Sequence, residues 1–165
     1  MSLFFRLSFL LICPSSSIFS AKIAVVSYVD SPSYKERVKW GLKANTEYCE
    51  KNGYDFLLFE ERLDPSRSAG WSKYLHIQNL LEDSDYEWVV WVDADTIIMN
   101  LDIPLEWFCD DQYDFIISRD FNYLNAGVML FKNSEWSKAF LKAIYRNIDH
   151  INHVWPEEAT ILSII

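Results

Sequence analysis

The chain has 165 residues, a formal net charge of −9, 50% hydrophobic residues and only four glycines. This length suits one domain with a sizeable core, and the hydrophobic fraction excludes a disordered chain. The acidic charge argues against nucleic acid as a partner, and the four glycines are too scattered to form a phosphate-binding glycine loop.

The first twenty residues have the layout of a secretory signal peptide or a short signal anchor. Arg6 precedes the apolar run 7–13, and a serine-rich stretch leads to Ser20 and Ala21, where cleavage would occur. The apolar run is short for a membrane span, and a buried N-terminal strand is the alternative. We expect a targeting segment at 1–20, membrane association through it if it is retained, and a folded domain at 21–165.

The rest of the chain alternates strand-like and helix-like segments. In chain order the predicted elements are strand 22–28, helix 32–52, strand 54–59, loop 60–70, helix 71–82, strand 88–92, strands 115–118 and 127–131, helix 134–147 and helix 157–165. Strands and helices that alternate with short loops predict an α/β sandwich with a mostly parallel central sheet.

Two aspartates directly follow the most apolar strand. Residues 88–92 show no polar alternation, as expected of a strand covered on both faces, and Asp93-Ala94-Asp95 comes next. Ligands of such sheets bind beyond the carboxyl ends of the strands. If the strand continues, Asp93 and Asp95 point the same way, roughly 6–7 Å apart, and both can bind one Mg²⁺ or Mn²⁺. A turn that merely ends the strand is the alternative.

Such a cation would also explain how an acidic chain without a glycine loop can bind a diphosphate. The metal would bridge the carboxylates and the phosphate oxygens, and it would neutralise charge on a departing nucleoside diphosphate.

A resemblance to a known family supports this interpretation. The segments that carry it are 51–54, 71–73, 88–100, 124–130, 133–136 and 155–158. Together they resemble the GT-A glycosyltransferases, and within these the fungal α-galactosyl- and α-1,6-mannosyltransferases and the plant xyloglucan xylosyltransferases. The glycogenin and galactinol synthase group, which has a similar Asp-Ala-Asp-Thr segment, is the alternative. The resemblance spans about 22–165 and implies a GT-A fold, the Rossmann-like sandwich of nucleotide-diphospho-sugar transferases.

The family resemblance implies a retaining, metal-dependent transferase of the Golgi and the secretory pathway. It would use Mn²⁺ (or Mg²⁺) and move a hexose or pentose from a UDP- or GDP-sugar to a glycan or glycoprotein acceptor. A homo- or hetero-oligomer is a further expectation. A glycosyltransferase-like module that binds a nucleotide sugar without turnover is the second hypothesis.

The resemblance also assigns site residues. It places Asp93, Ala94, Asp95, Asn125, Ala126 and Gly127 in donor binding, with Asp93 and Asp95 as the expected metal ligands. Lys73, which could reach the diphosphate, is a further expected donor-binding residue on its position alone. Glu157 and Glu158, the expected catalytic pair, lie where these enzymes carry an acidic residue and a glutamine near the anomeric carbon. Glu158 departs from that glutamine. The family's metal-binding histidine lies farther downstream, so we expect this domain to be C-terminally incomplete.

Several other polar residues have alternative interpretations. Lys73 could equally lie on a solvated helix face. Arg119 and Asp120 follow a strand at the ligand edge of the sheet, or form a surface pair. His150 and His153 are spaced like a metal clamp but lack partner carboxylates, so we predict no metal there.

The aromatic and thiol side chains support fewer conclusions. We interpret most tryptophans as core packing, with Trp155 as the exception that could stack on carbohydrate. Cys49 and Cys109 could pair in an oxidising lumen, and their spacing matches no zinc site.

Overall fold

A computed structural model describes residues 21–121 and 123–165. The predicted targeting segment, residues 1–20, lies outside the described residues. Among the residues that are described, no helix combines the length and the apolar character needed to cross a membrane.

In chain order, the strands of the described residues are β1 (Ile23–Tyr28), β2 (Asp55–Phe59), β3 (Trp88–Val92), β4 (Phe115–Asp120) and β5 (Tyr123–Lys132). They form one five-stranded sheet with the order β2-β1-β3-β5-β4. Strand β1 pairs in parallel with β2 and β3, whereas β5 runs antiparallel to both β3 and β4. All strands except β5 therefore point the same way, which confirms the predicted mostly parallel sheet.

Local capping signals mark the ends of two of the α-helices in the described residues. The α-helices of this part of the chain are α1 (Pro32–Asn52), α2 (Ser72–Asp83), α3 (Glu135–Arg146) and α4 (Pro156–Ile164). Ser31 Oγ accepts a hydrogen bond from the Tyr34 N–H at 3.3 Å, and Gly53 ends α1 in the left-handed conformation at φ 77°. Ser134 caps α3 in the same way.

Helices cover both faces of the sheet, as in the predicted α/β sandwich. On one face, the buried side chains of α2, α3 and α4 pack against Trp91 and Phe131. On the other face, Tyr48 and Cys49 of α1 pack against Val90. Burial on both faces explains why β3 is continuously apolar and why β1 is apolar except for the buried Ser27.

The structure also corrects several sequence-based expectations. Strand β5 begins at Tyr123 rather than at Gly127, so Asn125 and Ala126 belong to the strand and not to a preceding loop. Because β5 is antiparallel, its first half lies at the same edge of the sheet as the carboxyl end of β3. Two short 3₁₀ turns, Ala69–Trp71 and Leu105–Trp107, were not predicted.

The packing interpretation of the tryptophans holds for only part of the set. The buried ones are Trp71, Trp88 and Trp91, whereas Trp40, Trp107, Trp136 and Trp155 are exposed. Cys49 and Cys109 are both free thiols. Burial raises the pKa of each thiol to about 12, which keeps both protonated near neutral pH.

Candidate functional site

The chain turns sharply where β3 ends. Ser27 Oγ donates a hydrogen bond to the Val92 carbonyl at 2.6 Å, and the Thr96 N–H then bonds to the Asp93 carbonyl at 2.9 Å. The strand therefore does not continue through Asp93 and Asp95, so the condition under which the two side chains would point the same way is not met. Both carboxylates nevertheless line one cavity of about 230 Å³ at the carboxyl edge of the sheet.

Helix α1 anchors this turn through a buried amide that the sequence analysis did not single out. Asn45 Nδ2 donates to the Thr96 carbonyl at 2.9 Å, and Asn45 Oδ1 accepts from the Ile98 N–H at 2.9 Å. A Cβ atom at Gly41 would lie 3.2 Å from Ile97 Cγ1 and 3.4 Å from the Ala94 carbonyl, so this glycine permits the close approach of α1. A polar side chain on the buried face of α1 was the signal available in the sequence.

Two side chains hold the Asp93 carboxylate. The indole Nε1 of Trp91 donates to Asp93 Oδ1 at 2.7 Å, and Lys73 Nζ lies 3.3 Å from the same oxygen. The backbone of Asp93 is also fixed, because its N–H bonds to the Gly127 carbonyl of β5 at 2.8 Å. The carboxylate is thus oriented by donors on β3 and α2, and the backbone of Asp93 is held by a carbonyl acceptor on β5.

Lys73 is buried between two acidic side chains. Its side chain is only 5% exposed, and Nζ lies 2.8 Å from Glu157 Oε2 in addition to its contact with Asp93. Burial lowers the pKa of Lys73, but the charges of Glu157 and Asp93 outweigh it and raise the pKa above its usual value. The alternative of a solvated helix face is therefore wrong for Lys73, whereas donor binding by this residue stays a prediction.

Helix α4 brings Glu157 to the opposite side of the cavity. A Cβ atom at Gly70 would lie 2.7 Å from Glu157 Oε1, so any larger residue at position 70 would force the Glu157 side chain to move. Burial raises the pKa of Glu157 above its usual value, although the neighbouring charge of Lys73 opposes that shift. The sequence offered no sign that Gly70 and Glu157 meet.

Strand β5 lies beside Asp93, next to this cavity. Asn125 Oδ1 accepts from the Gly127 N–H at 2.8 Å, and Asn125 Nδ2 donates to Asp120 Oδ2 at 2.8 Å. A Cβ atom at Gly127 would lie 2.8 Å from Asn125 Oδ1 and 3.3 Å from Asp93 Oδ2. Glycine at 127 therefore allows a close approach of the two strands, rather than merely a change of chain direction.

Glu158 lies beside the same strand but faces a neighbouring pocket. Its Oε1 accepts from the Ala126 N–H at 3.3 Å. Asn125 and Glu158, together with Asp120 and Trp155, line a pocket of about 150 Å³ next to the Asp93–Asp95 cavity.

The structure thus distributes the predicted site residues over adjoining positions. Those that line the Asp93–Asp95 cavity are Lys73, Asp93, Ala94, Asp95 and Glu157. The buried Ala126 adjoins it, with its carbonyl 3.4 Å from Lys73 Nζ. His150 and His153 are apart from this group, and line a different cavity with Trp155.

The donor set at this edge of the sheet fits a hard divalent cation. Four acidic side chains and one lysine line the cavity. Burial first, and then the charges of Asp95 and Asp93, raise the pKa of Tyr34. Asp95 is exposed and forms no hydrogen bond or ion pair with another described residue. Within residues 21–121 and 123–165, no group of three or more His, Cys, Asp or Glu side chains is arranged to hold a metal. Two carboxylates suit an ion that completes its coordination with phosphate oxygens and water.

Comparison with known families gives a match over most of the chain. A model of the galactosyl transferase GMA12/MNN10 family matches residues 20–109 and 109–163. "Probable glycosyltransferase 7" of Oryza sativa subsp. indica is 32% identical over 114 residues, which are 62% of this chain and 25% of the relative.

Two further relatives carry more specific names. "Galactomannan galactosyltransferase 1" of Cyamopsis tetragonoloba is 27% identical over 109 residues, which cover 60% of this chain and 25% of the relative. "Alpha-1,2-galactosyltransferase" of Schizosaccharomyces pombe is 28% identical over 159 residues, which cover 72% and 42%. The chain therefore matches about a quarter to two fifths of the length of these curated relatives.

Solved structures agree in fold. A glycosyltransferase involved in the glycosylation of the major capsid of PBCV-1 has a TM-score of 0.71 and 21% identity, covering 86% of this chain and 74% of that one. The glycosyltransferase GlyE of Streptococcus pneumoniae TIGR4 has a TM-score of 0.60 and 17% identity, covering 88% and 43%. These similarities confirm the predicted fold class.

Proposed function

The chain belongs to the galactosyl transferase GMA12/MNN10 family, as its sequence motifs indicate, and on this basis we propose that it is a metal-dependent, retaining glycosyltransferase. Its donor would be a UDP- or GDP-sugar and its acceptor a glycan or a glycoprotein. The observation that carries the proposal is the negatively charged cavity where Asp93 and Asp95 lie beside Lys73 and Glu157.

The two aspartates would hold the cation and, through it, the donor. Mn²⁺ or Mg²⁺, when bound, supplies Lewis-acid stabilisation of the charge on the leaving diphosphate. Asp95 is the accessible ligand, since its carboxylate is exposed and uncommitted to another described side chain. Asp93 is the oriented ligand, because Trp91 and Lys73 fix its Oδ1 and leave its Oδ2 near Gly127.

Lys73 acts as a positioning residue in this proposal. Its ammonium is enclosed by Asp93 and Glu157, so it links β3 to α4 rather than reaching freely into solvent. The fixed positive charge limits the repulsion between carboxylates that would otherwise accumulate at one edge of the sheet. It thereby keeps the aspartates in place for the donor.

Strand β5 and helix α4 would hold the sugar of the donor. The side chain of Asn125 and the backbone at Gly127 lie next to Asp93, and Glu158 is bound to the same strand through the Ala126 N–H. In the reaction, the bond between the anomeric carbon and the diphosphate oxygen breaks, and its electron pair leaves with the nucleoside diphosphate. An acceptor hydroxyl forms the new bond on the same face of the sugar, and its proton passes to the departing phosphate.

The setting of the reaction is part of the proposal. The family resemblance implies a Golgi-lumen location, and the signal-like layout of residues 1–20 indicates membrane association if that segment is retained. A homo- or hetero-oligomer is a further expectation. Because two of the relatives described above are named galactosyltransferases, galactose is the first sugar to test.

The experiment is a screen of UDP- and GDP-sugars with and without Mn²⁺, which measures donor binding by calorimetry and sugar transfer by product analysis. We expect Mn²⁺-dependent binding, and at least tenfold weaker binding for Asp95→Asn, a loss of about 1.4 kcal/mol or more. Asp102→Asn is the matched control, because Asp102 is exposed and paired only with the surface residue Lys51. Unchanged Mn²⁺-dependent binding in Asp95→Asn would refute the metal assignment.

The same screen separates the enzyme from the second hypothesis. Metal-dependent donor binding without hydrolysis or transfer, over the whole panel of sugars and acceptors, would identify a nucleotide-sugar-binding module. Glu158 in place of the glutamine expected from the family is the feature that motivates this comparison. Glu158→Gln is then the variant to assay for a gain of transfer.

A further inference from the structure

A second cleft lies beside the proposed donor site, between the β4–β5 hairpin and the start of α4. It begins at the pocket of about 150 Å³ that contains Asp120, Asn125 and Glu158. It continues into a cavity of about 410 Å³ that shares Leu124, Trp155 and Glu158 with that pocket. Neither part shares a lining residue with the Asp93–Asp95 cavity. The combined space falls in the size range of small-molecule sites.

Aromatic rings form part of the wall of this cleft. The Trp155 side chain is 54% exposed, and the Tyr123 side chain is 53% exposed. The backbone of Trp155 is held in place, because its N–H donates to His153 Nδ1 at 3.1 Å. An exposed indole that lines a concave site and is carried by an anchored backbone is available to a ligand.

The backbone conformation of Tyr123 is a second indication of a ligand-binding site. It is a non-glycine residue with φ at 104°, and the guanidinium of Arg119 lies 4.5 Å from its ring centroid. Backbone strain of this kind costs about 1–3 kcal/mol, and it tends to persist where ligands are clamped. The contact with Arg119 holds the ring at the mouth of the cleft.

The floor of the cleft is polar but carries no fixed positive charge. Asn125 Nδ2 donates to Asp120 Oδ2 at 2.8 Å, and Glu158 Oε1 accepts from the Ala126 N–H at 3.3 Å. Carboxylate and amide groups anchored in this way can accept hydrogen bonds from hydroxyl groups of a ligand. Two carboxylates lie on this floor and no lysine or arginine lines the described parts of the cleft, so the floor does not suit a phosphate. Arg119 lies at the mouth, where it packs on the ring of Tyr123.

We propose that this cleft, defined by Asp120, Tyr123, Asn125, Trp155 and Glu158, binds the acceptor glycan. The apolar C–H face of a neutral sugar ring packs on Trp155, and the ring hydroxyls donate to the carboxylates of Asp120 and Glu158. The inference deepens the proposed function and rests on it, since the cleft starts at Asn125 and Glu158, where the donor sugar would end. A glycan bound here presents its hydroxyl to that sugar.

The experiment uses the full chain labelled with fluorotryptophan and observed by fluorine NMR. Trp155→Phe identifies the resonance of Trp155, and the probes are β-1,4-mannotetraose, cellotetraose and α-1,6-mannotriose, each titrated with UDP and Mn²⁺ present. We expect at least one glycan to shift the Trp155 resonance. Trp155→Ala should weaken the binding of that glycan about fivefold to tenfold, as expected for the loss of one aromatic stacking partner.

Trp40→Ala is the matched control, because Trp40 is also exposed and lies on α1, outside the cleft. It should leave glycan binding unchanged, and Trp155→Phe should retain part of the affinity. The proposal is overturned if none of the three glycans shifts the Trp155 resonance, or if Trp40→Ala weakens glycan binding as much as Trp155→Ala does.

Failure of the proposed function has a different signature. Absence of Mn²⁺-dependent binding of UDP and GDP would refute the donor site, whatever the glycans do. Intact Mn²⁺-dependent UDP binding with no glycan effect at Trp155 would refute the acceptor cleft alone. Far-UV circular dichroism of each variant verifies that the fold is retained.

Discussion

Replacement of Lys73 by methionine tests whether a buried ammonium holds the site together. Lys73 Nζ lies 2.8 Å from Glu157 and 3.3 Å from Asp93, and its side chain is 5% exposed. Methionine keeps most of the length and the apolar stem, but it removes the charge and the hydrogen-bond donors. Lys73→Met therefore leaves two acidic side chains facing each other without a cation between them.

The size of the effect follows from the burial of the two carboxylates. Removal of one partner from a buried ion pair costs about 3–5 kcal/mol, because the other charge stays buried. Here the side chain of Glu157 is 17% exposed and that of Asp93 is 36% exposed, so water relieves part of the penalty at Asp93. We expect a loss of about 3 kcal/mol in the free energy of unfolding at pH 7, the lower end of that range.

Urea denaturation of single and double variants measures this loss. Lys73→Met combined with Glu157→Leu should be more stable than Lys73→Met alone, since no buried carboxylate then faces the methionine. Lys43→Met is the control, because the exposed Lys43–Glu47 pair at 3.6 Å is worth about 0.5 kcal/mol at most. A loss below about 1 kcal/mol for Lys73→Met would refute the reasoning, because such a value is typical of a solvated surface lysine.

Three further predictions concern the supports of the site and one buried histidine. Gly127→Ala should lower the free energy of unfolding by about 1 kcal/mol, as measured by urea denaturation, because the added methyl group clashes with Asn125. It should also weaken Mn²⁺-dependent UDP binding in calorimetry. Wild-type values in both measurements would contradict this prediction. Asn45→Ala removes two hydrogen bonds to the turn after β3 and should cost about 2 kcal/mol, whereas an unchanged urea midpoint would show that the turn needs no anchor. Burial lowers the pKa of His76 in the folded protein below its usual 6.5. As pH drops from 7.5 to 5.5, the unfolded chain therefore binds a proton at this histidine more readily than the folded protein does, and the free energy of unfolding should fall. His76→Phe should flatten that slope, and equal slopes for the two proteins would count against the buried neutral imidazole.

Local signals in the sequence were sufficient for most of the elements. Ser31 and Ser134 cap their helices as the residue types predict, and Gly53 ends α1 with a positive φ. The run of five apolar residues that ends at Val92 forms β3 with the predicted bounds. Each of these features depends on neighbours only a few positions away, which is why pattern and propensity identify them.

The composition of the site depended on contacts that no local pattern reports. Strand β5 lies antiparallel beside β3, and this pairing alone brings Gly127 to Asp93 across more than thirty positions of sequence. The contact of Gly70 with Glu157 and the anchoring of the turn by Asn45 are equally long-range. The sequence did contain a signal for Asn45. Its amide lies between Leu42 and Tyr48 on the buried face of α1, and a buried amide needs a hydrogen-bond partner.

The few glycines have a role in the proposed site for a phosphate-bearing donor that differs from a phosphate-binding loop. Gly41, Gly70 and Gly127 form no phosphate loop, yet each allows a close approach next to the Asp93–Asp95 cavity. At Gly70 and Gly127, a Cβ atom would fall less than 3.0 Å from a side-chain oxygen of Glu157 or Asn125. The glycines therefore serve to bring acidic and amide side chains together, and not to present backbone N–H groups to an anion. A site assembled in this way repels a bare diphosphate, so donor affinity should depend on the divalent cation far more than on any backbone cradle.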